Sequence, residues 1–333
     1  MNGESSDLEW QTDSITMRGT LLRPLGDGPF PAAVLIAGSG PTDRDWNSPL
    51  LPGANGSARL IADELTRAGF ASLRYDKRAS GPNARENVGR MIGRMSMQSH
   101  LDELEGAVRT LAGQSSVRAD RIFAVANSEG TLHALNYQLH APEIPFAGLV
   151  LIAPPGRTVA AVARSQIAAQ VANLPNGEAV MVLYDAAIAH FLAGEPIPPD
   201  PGLPAGIRAL LDGLAAPANL PFARELWTSD SAPLLSRIKV PTLVVIGKKD
   251  IQVDWRSDGE RLQHATGGLA HIDFLFPENA NHVLKRETRP RSELTAGQIA
   301  ASYNAPAATL DRDAMVSIVQ WLLEVKGLAR ADR

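Results

Sequence analysis

Short apolar runs rich in Val, Ile, Leu and Ala recur along the chain, and most end in residues typical of loops. Because these runs are continuous rather than alternating, they predict strands that are buried on both faces. An earlier segment, 15–22, predicts an antiparallel strand at the edge of the same sheet. The six predicted buried strands are 31–37, 70–75, 122–127, 148–153, 241–246 and 271–276.

Apolar residues at helical spacing lie between these runs and predict helices that pack against the sheet. Asp311 is placed to act as the N-cap of the last helix. Alternating strands and helices indicate a parallel sheet covered on both faces, an α/β fold. The three clearest apolar stripes are Leu101, Leu104, Val108 and Leu111; Leu132, Leu135 and Leu139; and Met315, Ile318, Val319, Leu322 and Leu323.

One long region breaks the alternation of strands and helices. From 158 to 236 no strand signal occurs, and Ala-rich helical segments are separated by Pro and Gly, above all at 195–206. We predict a helical cap over 158–236, inserted into a core formed by 1–157 and 237–333. Some apolar cap residues are candidates for lining a pocket, and the alternative is that they pack the cap's own core. They are Met181, Leu183, Tyr184, Ile188 and Phe191.

Composition then narrows the classes of function. The 333 residues, with 44% hydrophobic and 20% charged, are ordinary for a globular protein with a full core. A net charge of −4 provides no basic footprint for nucleic acid and no polybasic membrane surface. The absence of cysteine excludes disulfides, cysteine nucleophiles and thiolate metal sites. The polar N-terminus and the lack of a long apolar run predict a cytoplasmic protein without a membrane span.

A candidate nucleophile lies where a predicted strand meets a predicted helix, in Ala126-Asn127-Ser128-Glu129-Gly130. A serine alcohol needs a neighbouring base and an exposed position to attack a substrate. A sharp turn with small residues two before and two after the serine exposes its hydroxyl above the sheet. The Glu129 backbone N–H, at the helix N-terminus, is then placed to bind a developing oxyanion. The pattern alone is weak, and the alternative is that Ser128 is a simple helix N-cap.

A glycine-containing loop follows the strand at 31–37 and reads GSGPTDRD over 38–45. We choose the backbone N–H of Ser39 as the second oxyanion donor, with Gly40 as the fallback, because glycine lets the backbone approach a substrate closely. Dinucleotide binding is the competing interpretation. It fails because Pro41 interrupts the pattern, position 43 is Asp rather than Gly, and no helix is expected before about residue 57.

Charged side chains near these two segments admit two interpretations each. We interpret Asp43, Arg44 and Asp45 as a structural charge cluster that holds the loop, and a role in substrate polarity is the alternative. The Glu129 side chain is expected to be a surface or cap contact, or else to disfavour anionic substrates beside the nucleophile. No cofactor or metal site is predicted from these residues.

The candidate acid is Asp250, just past the end of the strand predicted at 241–246. A buried carboxylate there can hold a histidine tautomer and stabilise the imidazolium. Asp254 and Asp258 are rivals that lie further from the strand end. Asp76 also follows a strand, but the basic residues beside it offer salt-bridge partners, so we interpret it as structural.

The candidate base is His282, in a loop after the last predicted strand and some 30 residues after the acid. The chain order Ser, Asp, His is that of one known arrangement of the hydrolytic triad. The other histidines are interpreted as solvated or core residues. They are His100, His133, His140, His190, His264 and His271.

With these residues placed, the chain resembles the α/β-hydrolases, and more narrowly the bacterial serine hydrolases with a GSGPTDRD-type oxyanion loop, which are esterase-like or dienelactone-hydrolase-like. The resemblance implies a mostly parallel eight-stranded sheet with a helical cap after the sixth strand. It puts the nucleophile on Ser128, the acid on Asp250 and the base on His282. The matching stretches are GSGPTDRD (38–45), RYDKRASG (74–81), ANSEG (126–130), LLSRIKVPTLVVIGKKDIQV (234–253) and ENANHVLK (278–285).

The chain departs from the family pattern at three small residues. Ala126 replaces the usual first glycine of the turn, and Ala37 stands where many relatives have histidine before the oxyanion glycine. Ala79 replaces the glycine of the YDKRG-like stretch. The first two lie at the site and point to an altered pocket, and none of the three removes a catalytic group.

The resulting hypothesis is a serine hydrolase that cleaves carboxylic esters of small, apolar or aromatic substrates through an acyl-enzyme, without cofactor or metal. The same triad would serve a thioesterase, lactonase, C–C bond hydrolase, amidase or acyltransferase. A ligand-binding relative without turnover is the non-enzyme alternative. The expected partner is a small-molecule ester rather than nucleic acid or a membrane, and a homodimer stays open.

Overall fold

The computed structural model describes residues 3–82, 84–295, 298 and 302–328. The strands are β1 (Gly3–Thr12), β2 (Ile15–Pro24), β3 (Phe30–Ile36), β4 (Ala71–Tyr75), β5 (Val117–Asn127), β6 (Gly148–Ile152), β7 (Thr242–Val245) and β8 (Ile272–Leu275). The helices are α1 (Ser57–Arg67), α2 (Ala84–Met91), α3 (Met97–Ala112), α4 (Glu129–Leu139), α5 (Val159–Val171), α6 (Gly177–Ala193), α7 (Ala205–Ala215), α8 (Phe222–Thr228), α9 (Ser231–Leu235), α10 (Gly259–Thr266) and α11 (Arg312–Leu328).

All eight strands form one sheet in the order β1-β2-β4-β3-β5-β6-β7-β8. The strands from β4 to β8 pair in parallel, whereas β2 is antiparallel to both of its neighbours. Two groups of helices flank the sheet: α1 contacts α11, and α3, α4, α9 and α10 contact one another in series. The predicted mostly parallel α/β sheet is therefore confirmed.

The predicted buried strands agree with the structure to within one residue at each end, except that β5 begins at Val117 rather than 122. The residues added to β5 are mostly polar and partly exposed, so the apolar pattern does not show them. The prediction that 15–22 forms the edge of the sheet is wrong, because β1 pairs along its outer side. The β1 sequence GESSDLEWQT is polar and largely exposed, which hid it from an argument based on apolar runs.

The segment between β6 and β7 is helical throughout its ordered elements, α5 to α9 with a 3-10 turn at Pro217–Asn219. It has a second hydrophobic cluster of its own, separate from the cluster around the sheet. The five residues considered for a pocket lining pack into or against this cluster, which agrees with the interpretation that they form the core of this segment. Tyr184, Ile188 and Phe191 are buried in it, and Met181 and Leu183 pack against it.

The last helix begins as the sequence predicted, since the Ala314 backbone N–H donates to the Asp311 carboxylate at 2.9 Å. Within the ranges given above, no helix is both long and apolar enough to cross a membrane. The division into a core and a cap at 158–236 stays a prediction.

Candidate active site

Ser128 occupies the sharp turn between β5 and α4. Its backbone has φ 53° and ψ −121°, a left-handed conformation that is strained for any residue other than glycine. The turn is held on both sides: the Ser128 N–H donates to the Ile152 carbonyl at 2.8 Å, and the Thr131 N–H donates to the Ser128 carbonyl at 3.0 Å. The Ser128 side chain makes no capping bond to α4, so the simple N-cap interpretation does not account for it.

Two glycines allow the neighbouring backbones to approach this turn. A Cβ at Gly130 would lie 2.5 Å from the Ala37 carbonyl oxygen, which no side chain tolerates. A Cβ at Gly38 would lie 3.3 Å from the Ser128 Cβ. The loop after β3 thus packs directly against the turn. Ala126 is fully buried within β5, and its methyl group coexists with the strained backbone at Ser128.

Asp250 and His282 are hydrogen bonded through the His282 Nδ1 and an Asp250 carboxylate oxygen, 2.8 Å apart. Asp250 has no exposed surface, and its other oxygen accepts from the backbone N–H groups of Gln252 and Val253 at 2.8 and 3.0 Å. An ionised carboxylate only accepts hydrogen bonds, so Nδ1 carries the proton in this pair. The Nε2 atom of His282 is then left as the basic nitrogen.

The loop that holds His282 is joined to the turn that holds Ser128. The Asn127 side-chain amide donates to the His282 carbonyl at 2.9 Å, across 155 residues of sequence. Asn281 closes the loop from the other side, because its side-chain oxygen accepts from the backbone N–H groups of Val283 and Lys285. The structure therefore pairs two of the three sequence-predicted side chains directly and joins the His282 loop to the residue next to Ser128.

The rival acids have other partners. Asp254 accepts from the backbone N–H groups of Arg256 and Ser257 and from the Arg291 guanidinium. Asp258 is fully buried and pairs with Arg157 at 2.9 Å. Asp254 therefore holds its own turn and Arg291, and Asp258 holds the backbone just before the helical segment.

Asp76 and the charges of the loop at 38–45 form a structural cluster, as predicted. Asp76 accepts from the Arg44 backbone N–H at 2.8 Å and from its guanidinium at 2.6 and 3.0 Å. Asp45 pairs with Arg74, and Asp43 accepts from the Asp45 backbone N–H. The partner of Asp76 is therefore Arg44 rather than the adjacent basic residues that the sequence suggested.

Lys77 contacts both predicted sides of the oxyanion site, which sequence reasoning missed. Its Nζ donates to a Glu129 carboxylate oxygen at 2.7 Å, to the Gly38 carbonyl at 2.6 Å and to the Gly40 carbonyl at 3.3 Å. Only 6% of Lys77 and 4% of Glu129 is exposed. The expectation that the Glu129 side chain is a surface contact is wrong, whereas the alternative that it disfavours anionic substrates stays a prediction. The available signal was a lysine two residues past a buried strand, within the family-like stretch at 74–81.

The electrostatics of Glu129 follow from this burial. Burial by itself raises the pKa of a carboxyl group, but the Lys77 ammonium and the bond to His133 outweigh it and hold the pKa of Glu129 below its ordinary value. The His133 Nε2 lies 3.2 Å from the same carboxylate oxygen as Lys77. Glu129 is therefore a buried anion with a cation and an imidazole on one oxygen.

His100 extends this network towards α8. Its ring stacks on His133 at 4.7 Å between centroids and 8° between planes, and on Phe222 at 4.1 Å and 19°. Burial lowers the pKa of His100 well below its ordinary value, and the nearby His133 and Lys77 add to the effect. Both histidines are core residues, as the sequence analysis proposed.

Among the described residues, one group has ligand atoms close enough to hold a metal ion: those of His100, Glu129 and His133 all lie within 4.8 Å of one another. Two features oppose that use. The lone pairs of two parallel stacked rings lie in separate planes and do not converge on one ion, and Lys77 already pairs with the carboxylate. We therefore interpret the group as an ion-pair network.

Tyr303 is a further neighbour of His282 that the sequence did not indicate. The two rings are nearly parallel, 13° apart, with centroids 6.5 Å apart. The Gln252 side chain donates to the Tyr303 hydroxyl at 3.2 Å. Burial raises the pKa of Tyr303 well above its ordinary value, and the nearby Asp250 charge adds to this. Tyr303 lies outside the predicted strands and the apolar helical stripes, so no pattern in the sequence indicated this contact.

Two sequence comparisons relate the chain to known proteins. Residues 54–180 match the family model described as serine aminopeptidase, S33. The chain is 30% identical over 266 residues to the esterase EstD of Thermotoga maritima, a match that covers 80% of this chain but only 57% of that relative.

Solved structures of low sequence identity share the fold. The Pyrococcus furiosus esterase Pf2001 aligns with a TM-score of 0.54 at 14% identity, over 97% of this chain and 93% of that one. Est1E from Butyrivibrio proteoclasticus aligns with the same score and identity, over 97% and 99%. At this identity the alignments show only that the arrangement of strands and helices is shared.

Proposed function

We propose that this chain, a protein of the α/β-hydrolase fold, is a serine esterase that hydrolyses carboxylic esters of small apolar or aromatic substrates. The observation that carries the proposal is the 2.8 Å hydrogen bond between His282 and the fully buried Asp250, held beside a serine in a strained strand-to-helix turn. Similarity to the esterase EstD supports ester hydrolysis over other acyl transfers.

In the proposed mechanism, the Nε2 atom of His282 takes the Ser128 proton as Oγ attacks the ester carbonyl carbon. The tetrahedral intermediate collapses, His282 protonates the leaving alcohol, and an acyl-enzyme on Ser128 remains. Water then attacks the acyl carbon, again with His282 as base. The second tetrahedral intermediate releases the carboxylic acid, and His282 returns the proton to Ser128 Oγ. Asp250 orients His282 and balances the charge of the imidazolium.

The oxyanion is stabilised in this proposal by the backbone N–H groups of Glu129 and Ser39, with Gly40 as the fallback for the second. Glu129 is the first residue of α4, where the unpaired N–H groups of a helix N-terminus favour negative charge. The close packing of Gly38 against the Ser128 Cβ brings the loop that holds the second donor to the nucleophile.

The helical segment at 158–236 is proposed to form the roof of the pocket and to select the substrate. Two contacts support its position: the Gln166 side chain donates to the Gln252 carbonyl in the loop of the acid, and Phe222 stacks on His100. A small-molecule ester as partner and a cytoplasmic location belong to the same proposal. Cell fractionation tests the location.

The test is hydrolysis of a series of p-nitrophenyl esters, from acetate to decanoate, by the wild type and Ser128→Ala. We expect turnover by the wild type and a fall of at least ~1000-fold in the variant, the scale seen when a triad member is lost. The series also reports the preferred acyl length. Full activity in Ser128→Ala would contradict the assignment of the nucleophile. Inactivity of both proteins towards esters would favour one of the other acyl-transfer reactions, or a binding role.

A further inference from the structure

Lys77 is buried between the two backbone segments that would bind the oxyanion. Its Nζ donates hydrogen bonds to the Gly38 carbonyl, the Gly40 carbonyl and the Glu129 carboxylate, which uses all three of its N–H groups. Gly38 and Gly40 flank Ser39, the predicted second donor, while Glu129 carries the predicted first donor on its own backbone. One ammonium group therefore joins the two halves of the proposed site, which come from loops after different strands.

We propose that Lys77 and the Glu129 side chain are positioning residues that set the separation of the two oxyanion donors, a role that rests on the proposed esterase function. The C=O and N–H of one trans peptide point in opposite directions, so the Gly38 carbonyl bonded to Lys77 directs the Ser39 N–H away from the lysine. The Gly40 carbonyl belongs to the peptide with Pro41, which has no N–H, and its bond to Lys77 fixes the far side of Ser39. The stretch Gly38-Ser39-Gly40 has few side-chain atoms to pack, so the hydrogen bonds from Lys77 take the place of side-chain packing in holding its backbone. Without these bonds, Ser39 and Gly40, both exposed, have less to fix them.

The charge balance suits this role. The anionic Glu129 carboxylate neutralises the buried ammonium, so Lys77 can direct its other two N–H bonds to neutral carbonyls without an uncompensated charge in the core. His133, also on α4, bonds to the same Glu129 oxygen, and its ring is stacked on the ring of His100. These contacts limit movement of the carboxylate. Lys77 and the Glu129 side chain, together called the clamp below, are therefore anchored to α4 as well as to the loop at 38–45.

The experiment compares Lys77→Met with the double variant Lys77→Met/Glu129→Gln and with a matched control, Arg78→Met. Arg78 is the next residue and is equally buried, in an ion pair with Glu103 on α3. Its substitution removes a buried cation without touching the clamp. The double variant removes both clamp charges, so a buried unpaired carboxylate does not unfold it.

The first readout is the rate constant at which a fluorophosphonate labels Ser128. The second is steady-state hydrolysis of a p-nitrophenyl ester, which gives KM, and kcat per labelled site. For both Lys77 variants we expect the labelling rate and kcat to fall by about 10–100-fold with KM within about threefold, because misplaced donors weaken only the transition state. Affinity for a trifluoromethyl ketone, which forms an oxyanion on Ser128, falls in parallel. Arg78→Met lowers the melting temperature and keeps kcat per labelled site.

The outcomes separate the two proposals. If the wild type is labelled and the folded double variant retains the wild-type labelling rate and kcat per site, Lys77 and Glu129 only stabilise the fold and the positioning role is wrong. If the wild type itself fails to react with the fluorophosphonate, the serine is not activated and the proposed function fails, together with the role that rests on it.

Discussion

The candidate catalytic side chains are held in place mainly by backbone hydrogen bonds rather than by long flexible groups. Asp250 accepts two backbone N–H groups in addition to the His282 ring, so its position has little freedom. The left-handed backbone at Ser128 costs on the order of 1–3 kcal/mol. It persists because a hydrogen bond to the Ile152 carbonyl and another from the Thr131 N–H hold both sides of the turn.

This geometry predicts that Asp250→Asn lowers kcat for ester hydrolysis by about 10,000-fold, since an amide in place of the carboxylate favours the wrong histidine tautomer. Steady-state kinetics with the preferred p-nitrophenyl ester measure the effect. Asp254→Asn is the matched control, because Asp254 bonds to Arg291 and to its own turn. A larger loss in Asp254→Asn than in Asp250→Asn would show that the acid is misassigned.

At the scale of elements, the site is assembled from loops at the carboxyl ends of neighbouring parallel strands. Gly38 follows β3, Lys77 follows β4, Ser128 follows β5, Asp250 follows β7 and His282 follows β8. Because these strands run in the same direction in one sheet, their carboxyl ends meet at one edge. The order of strands therefore explains why residues far apart in sequence come together.

The packing of α3 on α4 predicts how stability depends on pH. Burial lowers the pKa of His100, whose neighbours include His133, Glu129 and Lys77. As pH falls below about 6.5, His100 therefore takes up a proton in the unfolded chain but stays neutral in the folded chain. The contribution of His100 to stability is complete above about pH 6.5. It is lost as pH falls towards the folded pKa, by up to about tenfold in the unfolding constant per pH unit.

Urea denaturation at pH 7.5, 6.5 and 5.5 checks this, with His100→Phe expected to flatten the decline by about one proton while keeping a ring in the stack. His140→Phe is the control, since His140 is exposed at the end of α4. An unchanged slope in His100→Phe would mean that other groups carry the acid sensitivity.

At the scale of the whole molecule, side chains around α10 hold the chain at both ends of the helical segment. Near its start, the buried Asp258 accepts from the Gly156 backbone N–H at 3.1 Å and pairs with Arg157 at 2.9 Å. Near its end, Arg261 pairs with Asp230 at 2.6 Å. Both anchors reach the stretch around α10, so the two connections to the core are held at one place.

Asp258→Asn is accordingly expected to lower the free energy of unfolding by about 2–3 kcal/mol, below the ~3–5 kcal/mol of a fully buried pair, because Arg157 is partly hydrated. Denaturant unfolding followed by circular dichroism measures it. Asp185→Asn is the control: it breaks an exposed pair with Arg164 and should leave stability unchanged. Equal stability of Asp258→Asn and wild type would mean that the anchor is not a stabilising contact.

The amino-acid sequence by itself determined the elements and the side chains with a distinctive local position. Continuous apolar runs determine β3, β6, β7 and the second half of β5, because strands buried on both faces must be apolar throughout. The edge strand β8 was found from a run that Asp273 interrupts, and Asp273 is exposed. Ser128, Asp250 and His282 are each identifiable because each follows such a run. Polar segments carry no comparable signal, which is why β1 could not be found from the pattern.

The tertiary structure alone decided which distant side chains meet. The position of Lys77 just past a buried strand marks it as a candidate, but the local sequence does not decide whether its side chain reaches solvent or turns inward. Its burial against Glu129 depended on the order of β4, β3 and β5 in the sheet. The stacking of Tyr303 near His282 and the pairing of Asp76 with Arg44 are of the same kind. Local sequence determines backbone preference and polarity, whereas contacts across the sheet depend on how all the elements pack together.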